Sequence, residues 1–149
     1  MRGYWNRPEA NAESLRGGWM HSGDAGSFDD EGYLYVQDRV KDMIVSGGEN
    51  VYPREIEDVL FRHPGVADAA VIGVPDEQWG EVVKAIVVRA AGSASTAEEI
   101  IDFCRGQLAG YKRPRSVDFI AVLPRNPSDK ILKRELRAPY WKNRQREVN

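Results

Sequence analysis

Asp24, Arg39 and Lys130 stand in settings that suggest chemistry rather than packing. Asp24 follows Ser22 and Gly23, where a carboxylate can accept hydrogen bonds from a ligand's hydroxyl groups and the glycine lets the main chain come close. Arg39 carries a planar guanidinium fork that matches hydroxyl and phosphate oxygens. Ser46-Gly47-Gly48 would let a ligand approach the backbone, and aromatic faces such as those of Trp79 and Tyr111 and cations such as Lys112 and Arg113 are residue types suited to a purine base and a phosphate. Each also has a plainer reading. Asp24 could be a turn residue, Arg39 could pair on the surface with Asp38 or Asp42, and Gly47-Gly48 could be a turn and nothing more. Trp79 could cover a core, Tyr111 could pack at a helix end, and Lys130 could be one more exposed lysine in a basic tail. Glu55 and Glu57 are spaced like an acid/base pair but read more simply as first-turn helix carboxylates.

The elements that must position these residues are short. Residues 1–16 are polar and aperiodic apart from Tyr4 and Trp5, which predicts loop or a short helix. Residues 19–21, 26–28 and 33–36 are predicted strands, the last two joined across Asp29-Asp30-Glu31-Gly32 into a hairpin that Arg39 follows. Residues 43–45 read as a buried strand, residues 46–50 as a tight turn, and Pro53 as the first turn of a helix with Ile56, Val59 and Leu60 on its apolar stripe. Two β-branched segments, 69–74 and 82–88, flank the loop 75–80. Thr96 and Glu99 form a capping box that opens a helix with Ile100, Ile101, Cys104 and Leu108 on one face. A basic connector at 112–115, a strand at 116–123 and a short basic helix at 131–137 follow. The order predicts an α+β fold, a small sheet with packed helices preceded by a β-hairpin segment.

Ser22-Gly23-Asp24, the run Q-D-R-V-K-D-M-I-V-S-G-G-E-N-V-Y-P-R-E-I-E from Gln37 to Glu57, and Asn126-Pro127-Ser128-Asp129-Lys130 together resemble three motifs of the adenylate-forming acyl-CoA synthetases. These are the nucleotide, hinge and catalytic-lysine motifs, and residues 18–137 carry the likeness, which is greatest to the fatty-acyl and medium-chain or aryl-acid CoA ligase branch and less to the luciferases and peptide-synthetase adenylation domains that share the scaffold. In that family a large N-terminal domain with a Ser/Thr/Gly-rich phosphate loop precedes a small C-terminal lid. The lid's motifs are here and the phosphate loop is not. The resemblance therefore implies a C-terminal fragment, inactive alone, whose partner is the N-terminal adenylation domain. Residues 1–38 would be the end of that domain and the approach to the hinge, and residues 39–149 the AMP-binding lid.

By the same resemblance Lys130 is the catalytic cation, Asp24 and Arg39 hold the ribose of ATP or AMP, and Lys41 is the hinge. Ser46, Gly47, Gly48, Trp79, Tyr111, Lys112 and Arg113 would meet CoA. ATP, Mg²⁺, CoA and a carboxylic acid, a fatty acid first among the candidates, serve the full enzyme, and the fragment supplies no metal ligand. Asp129 departs from the pattern, since glycine usually precedes the lysine. Aspartate tolerates the left-handed backbone region that glycine is chosen for, yet it places a carboxylate beside Lys130 with which the ammonium could pair. Acetylation of Lys130 would neutralise the cation. Trp5, Trp19 and Met20 are expected to be disordered, exposed or buried in a neighbouring copy, the last a route to self-association.

Composition sets the outer bounds. The net charge of −2 conceals a basic end: residues 112–149 hold eleven Lys and Arg against four Asp and Glu, and residues 1–111 hold ten against nineteen. Such an end could face polyphosphate, nucleic acid or an acidic surface. The rival reading from another class is a free-standing module that binds AMP, CoA or nucleic acid without catalysis. A nucleic-acid partner is not expected, because the tail's basic residues are not interleaved with stacking aromatics. The single cysteine, Cys104, excludes an internal disulfide and reads as a buried thiol. Without a long apolar run or an N-terminal signal pattern, the expectation is a cytoplasmic protein with no transmembrane segment.

Overall fold

The structure, a computed structural model, describes residues 1–142. The chain folds as two compact units, Met1–Val40 and a second that begins at Lys41. In the first unit, α1 (Pro8–Ser14) starts on a proline whose missing N–H is no loss there. Residues 19–21, expected as a strand, are not one, because the His21 amide turns back to donate to the Ser14 carbonyl left open at the helix end. β1 (Asp24–Phe28) and β2 (Leu34–Arg39) pair antiparallel, with a bulge between Ala25 and Gly26. Asp29 closes the turn by accepting from the amides of Glu31 and Tyr33, and the Tyr33 bond leads the effects that hold its carboxyl below the ordinary range.

No residue in 1–40 is buried. Trp5 is 94% exposed and Trp19 78%, and Met20, Phe28 and Val36 are also exposed, so this unit has apolar surface without a core of its own.

In the second unit, β3 (Ile44–Ser46) and β4 (Glu49–Val51) form a hairpin, then α2 (Pro53–Leu60) leads to the long antiparallel pair β5 (Val66–Asp76) and β6 (Gly80–Arg89). α3 (Ala97–Phe103) opens on the Thr96–Glu99 capping box, both of whose bonds form. β7 (Ser116–Phe119) lies parallel to β6, and α4 (Lys133–Arg137) ends the described elements. The sheet order is β4-β3-β6-β5, with β7 also on β6.

Side-chain alternation along β5 and β6 splits the core between two faces. Ala69, Val71, Val83, Ala85 and Val87 face Ile56 and Leu60 of α2 and Ile100 of α3. Ala70, Ile72, Val82 and Ile86 face Leu123, Ile131 and Leu136. A sheet covered on both faces explains why these strands read as near-continuous apolar runs. Three expected elements are shorter than their sequence pattern. α3 stops at Phe103, so Cys104 caps it and Leu108 reaches the core from beyond a turn that has Gly106 at φ 82°. β7 stops at Phe119, after which the chain leaves the sheet and Leu123 enters the second core. α4 begins only at Lys133, because Ile131 is held in a bridge to Arg125.

β5 closes one side of the sheet, and its outward backbone groups are satisfied by side chains rather than by another strand. The Val71 amide donates to Glu57 Oε1 at 2.8 Å, the Ala69 amide to Asp68 Oδ1 at 2.9 Å, and Trp141 Nε1 donates to the Gly73 carbonyl at 3.0 Å. On the second face Lys84, 9% exposed, pairs with Asp118 at 2.8 Å, and the Tyr140 hydroxyl donates to the same carboxylate. Burial opposes the Asp118 charge, but these two hydrogen bonds win and hold its carboxyl below the usual range. Burial and the bond to Asp118 push the Tyr140 phenol up to about 12.

Cys104 is fully buried, and desolvation raises its thiol to about 11 despite the nearby Arg113. At pH 8 only about one thiol in a thousand is then ionised. Iodoacetamide is expected to leave the folded chain unlabelled and to modify Cys104 promptly in denaturant; rapid native labelling would place the thiol outside the core.

Candidate functional site

The hairpin register sets Asp24 directly across from Arg39, and the two side chains pair at 3.6 Å. They are 36% and 65% exposed, so both remain open to a ligand. Ser22 Oγ accepts from the Asp24 amide, and the Val40 amide donates to the Gly23 carbonyl, which fixes the loop that precedes the carboxylate. Arg39 thus takes Asp24 as its partner, and Asp42, one of the two carboxylates near it in sequence, is held by Arg137 at 3.0 Å. A carboxylate and a guanidinium side by side can bind neighbouring hydroxyl groups by accepting from one and donating to the other.

Lys130 ends a small closed loop built on Asn126. The Asn126 side-chain oxygen accepts from the amides of Ser128 and Lys130 at 3.0 and 2.9 Å, and its own amide donates to the Lys130 carbonyl. Asp129 lies at φ 60°, in the left-handed region its position requires. Its carboxylate approaches Arg125 at 3.4 Å, and Arg125 also donates to the Asp129 carbonyl at 2.7 Å and to Asp68 at 2.6 Å. Lys130 is exposed, and among the described residues its ammonium has no hydrogen bond or ion pair. The loop is thus fastened through its backbone and through Arg125, while the terminal charge stays available.

Ser46, Gly47, Gly48 and Trp79 come together. Ser46 pairs opposite Gly80, and the Gly47 amide donates to the Trp79 carbonyl at 2.9 Å. A Cβ on Gly47 would lie 2.6 Å from the indole, and φ there is 59°, so both space and backbone demand glycine. Asp76 holds the loop by accepting from the amides of Gln78 and Trp79. The indole is 41% exposed, which leaves an aromatic face beside a bare stretch of backbone.

Tyr111, Lys112 and Arg113 sit on and beside a 3-10 turn (Gly110–Lys112) that lies against β4. Lys112 donates to both oxygens of Glu55, and that bond outweighs burial to raise its ammonium above the ordinary range. Arg113 Nε holds the Leu108 carbonyl, and Tyr111 is exposed. Two of these cations therefore already serve the fold. Lys41 lies in the 3-10 turn Val40–Asp42, where the two units divide.

Several partners carry no mark in the sequence. Glu57 is buried and pairs with Lys133 at 2.7 Å, whereas Glu55, two residues earlier, meets Lys112 at the surface. Arg125 belongs to the basic stretch before Lys130, but nothing local points to Asp68. Among the described residues no cluster of three His, Cys, Asp or Glu could hold a metal ion, and no helix is long and apolar enough to cross a membrane. The final seven residues of the basic end lie outside the described residues.

Residues 55–130, half of the chain, match the family described as the AMP-binding enzyme C-terminal domain. The chain belongs to this family. Its relatives include a feruloyl-CoA synthase of Amycolatopsis sp, 58% identical over 94% of this chain, and the long-chain-fatty-acid–CoA ligase FadD13 of Mycobacterium tuberculosis, 54% identical over 94%. Among solved structures, the o-succinylbenzoate CoA synthetase of Bacillus subtilis in complex with its acyl-adenylate intermediate aligns at TM-score 0.85 and 46% identity over 91% of this chain. The same synthetase has been solved with ATP and a magnesium ion, at TM-score 0.83. The chain spans 28% of the length of each of these proteins. The AMP-binding C-terminal domain is thus shared by ligases named for an aryl acid, a fatty acid and succinylbenzoate, so membership does not specify a fatty acyl substrate.

Proposed function

We propose that this AMP-binding domain is the lid of an AMP-forming acid–CoA ligase whose preceding domain supplies the phosphate loop and the acid pocket. In the first half-reaction the acid's carboxylate oxygen bonds to the α-phosphorus of Mg²⁺-bound ATP, the bond to the β-phosphate oxygen breaks, and pyrophosphate leaves. Lys130 stabilises the charge that develops there, and Asp24 with Arg39 holds the ribose. The lid then turns at Lys41. The CoA thiol loses its proton and attacks the acyl carbon, AMP leaves, and Ser46–Gly48 with the Trp79 face lines the approach of the CoA arm. The acid is an aryl or fatty carboxylic acid, the classes for which relatives of this chain are named. Cytoplasmic ATP and CoA would serve both steps.

The observation that carries this reading is the Asn126 loop, which fixes the backbone of Lys130 from both sides and leaves its ammonium without a partner among the described residues. The coreless first unit, with Trp5, Trp19 and Phe28 exposed, supports a covering domain upstream. The test is acid-, ATP- and CoA-dependent AMP release by this chain and by the protein extended upstream through its natural coding sequence. Activity in the extended protein alone is expected. Turnover by the 149 residues would overturn the proposed division of labour.

Arg125 makes the departure at Asp129 tolerable. It draws the carboxylate away from Lys130, so Arg125→Ala in the extended protein is expected to slow adenylation by about tenfold. Asp129→Gly in the same variant should recover part of that loss. A deficit that Asp129→Gly leaves untouched would mean the carboxylate does not compete for Lys130.

A further inference from the structure

We infer that Arg137 is a positioning residue that confines rotation between the two units to Lys41 itself, an inference that rests on reading Lys41 as the pivot. The boundary between the compact units falls between Val40 and Lys41. Arg137 Nη1 donates to the Lys41 carbonyl at 3.3 Å and to Asp42 Oδ1 at 3.0 Å, and the Arg137 and Asp42 side chains are only 15% and 22% exposed. The carbonyl of Lys41 and the amide of Asp42 share one rigid peptide plane. Gripped at the carbonyl and again at the Asp42 side chain, that plane belongs to the second unit. Rotation must then occur at φ and ψ of Lys41 or earlier in the chain, and not in Asp42 or Met43 before β3 begins at Ile44.

The grip is only as firm as α4, a helix of five residues, and α4 is fastened around Arg137. Lys133 pairs with the buried Glu57, Leu136 packs in the second core, the Tyr140 hydroxyl meets Asp118, and the Trp141 indole holds the Gly73 carbonyl. The same stretch of chain that follows the Lys130 loop thus reaches the first turn after the unit boundary. Loss of the grip would spread rotation over three residues, and the lid would reach each of its two working positions less accurately. A misplacement of this kind is costly because both half-reactions depend on alignment.

Trypsin reads the grip directly, since Lys41 is exposed and the bond it would cut is the gripped peptide. In the extended protein, Arg137→Ala and Asp42→Asn are each expected to speed cleavage after Lys41 about tenfold relative to cleavage after Lys130, and the double variant should be no faster than either alone. Arg137→Lys, which keeps a charge for Asp42, should restore part of the protection. Both half-reactions should slow in Arg137→Ala and recover in step with protection in Arg137→Lys. Cleavage that rises equally at both sites reports general loosening and overturns the inference, as would additive effects of the two substitutions. If the unsubstituted protein shows no acid- and CoA-dependent AMP release, the ligase reading fails by itself, and the ratio of cleavage rates still decides the grip.

Discussion

In the protein extended upstream, Lys130→Ala is expected to lower acid-dependent exchange of pyrophosphate into ATP by about 10²–10³-fold, on the order of 3–4 kcal/mol of transition-state stabilisation. Thioester formation from supplied acyl-AMP should stay nearly unchanged. The asymmetry follows from chemistry. Charge builds on the α-phosphate while pyrophosphate departs, whereas the thiol's attack is centred on the acyl carbon. The structure makes the substitution a clean one. The Asn126 loop is held through main-chain amides and through Arg125, and the Lys130 side chain contributes no hydrogen bond or ion pair among the described residues. Truncation there removes a charge and leaves the loop standing. Equal loss in the two half-reactions would show that Lys130 supports the fold or binds CoA, and the proposed role would have to be abandoned.

What the sequence made legible was local. Pro53 and the Thr96–Glu99 box announced their helices because a cap is written within four residues. β5 and β6 were visible as β-branched runs, and the antiparallel ladder extends each by a few residues. Residues 19–21 were misread because their composition suits a strand, while the partner that claims them, the Ser14 carbonyl, is a tertiary accident of where α1 ends. Leu108 was assigned to the helix of Ile100 since both are apolar at helical spacing, and the intervening turn at Gly106 brings it to the same core by another path. At the site, motif resemblance pointed to Asp24 and Arg39, whose residue types alone fit a turn and a surface pair equally well, and hairpin register brings the two side chains into contact. The long-range pairs were beyond reach. Arg125 and Asp68 lie 57 positions apart, and no period or motif connects them.

Glu57 is the extreme case of that blindness, and its removal should have the largest effect on stability. Glu55 and Glu57 look alike in sequence, and both would read as first-turn carboxylates, yet only Glu55 lies in the first turn of α2. In the fold, Glu55 meets Lys112 at the surface, and Glu57 turns inward, where its Oε1 atom accepts from the Val71 amide at 2.8 Å and from the Lys133 ammonium at 2.7 Å. Side-chain exposures of 7% for Glu57 and 12% for Lys133 put this pair in the regime where loss of one partner costs about 3–5 kcal/mol, because the other charge is left buried and unpaired. Glu57→Ala also strands an amide on the open edge of β5, worth about 1–3 kcal/mol by itself. Against a total of about 5–15 kcal/mol for a domain of this size, the variant should unfold at a urea concentration well below that of the parent. Glu57→Gln separates the two contributions. Its amide oxygen can still accept from Val71, so it should fall between parent and Glu57→Ala. Lys112→Ala, which breaks the more exposed pair with Glu55, should shift stability by no more than about 1 kcal/mol. Equal midpoints for Glu57→Ala and Lys112→Ala would mean that the carboxylate at the β5 edge is solvated, and that this edge is closed by Asp68 and Trp141 without it.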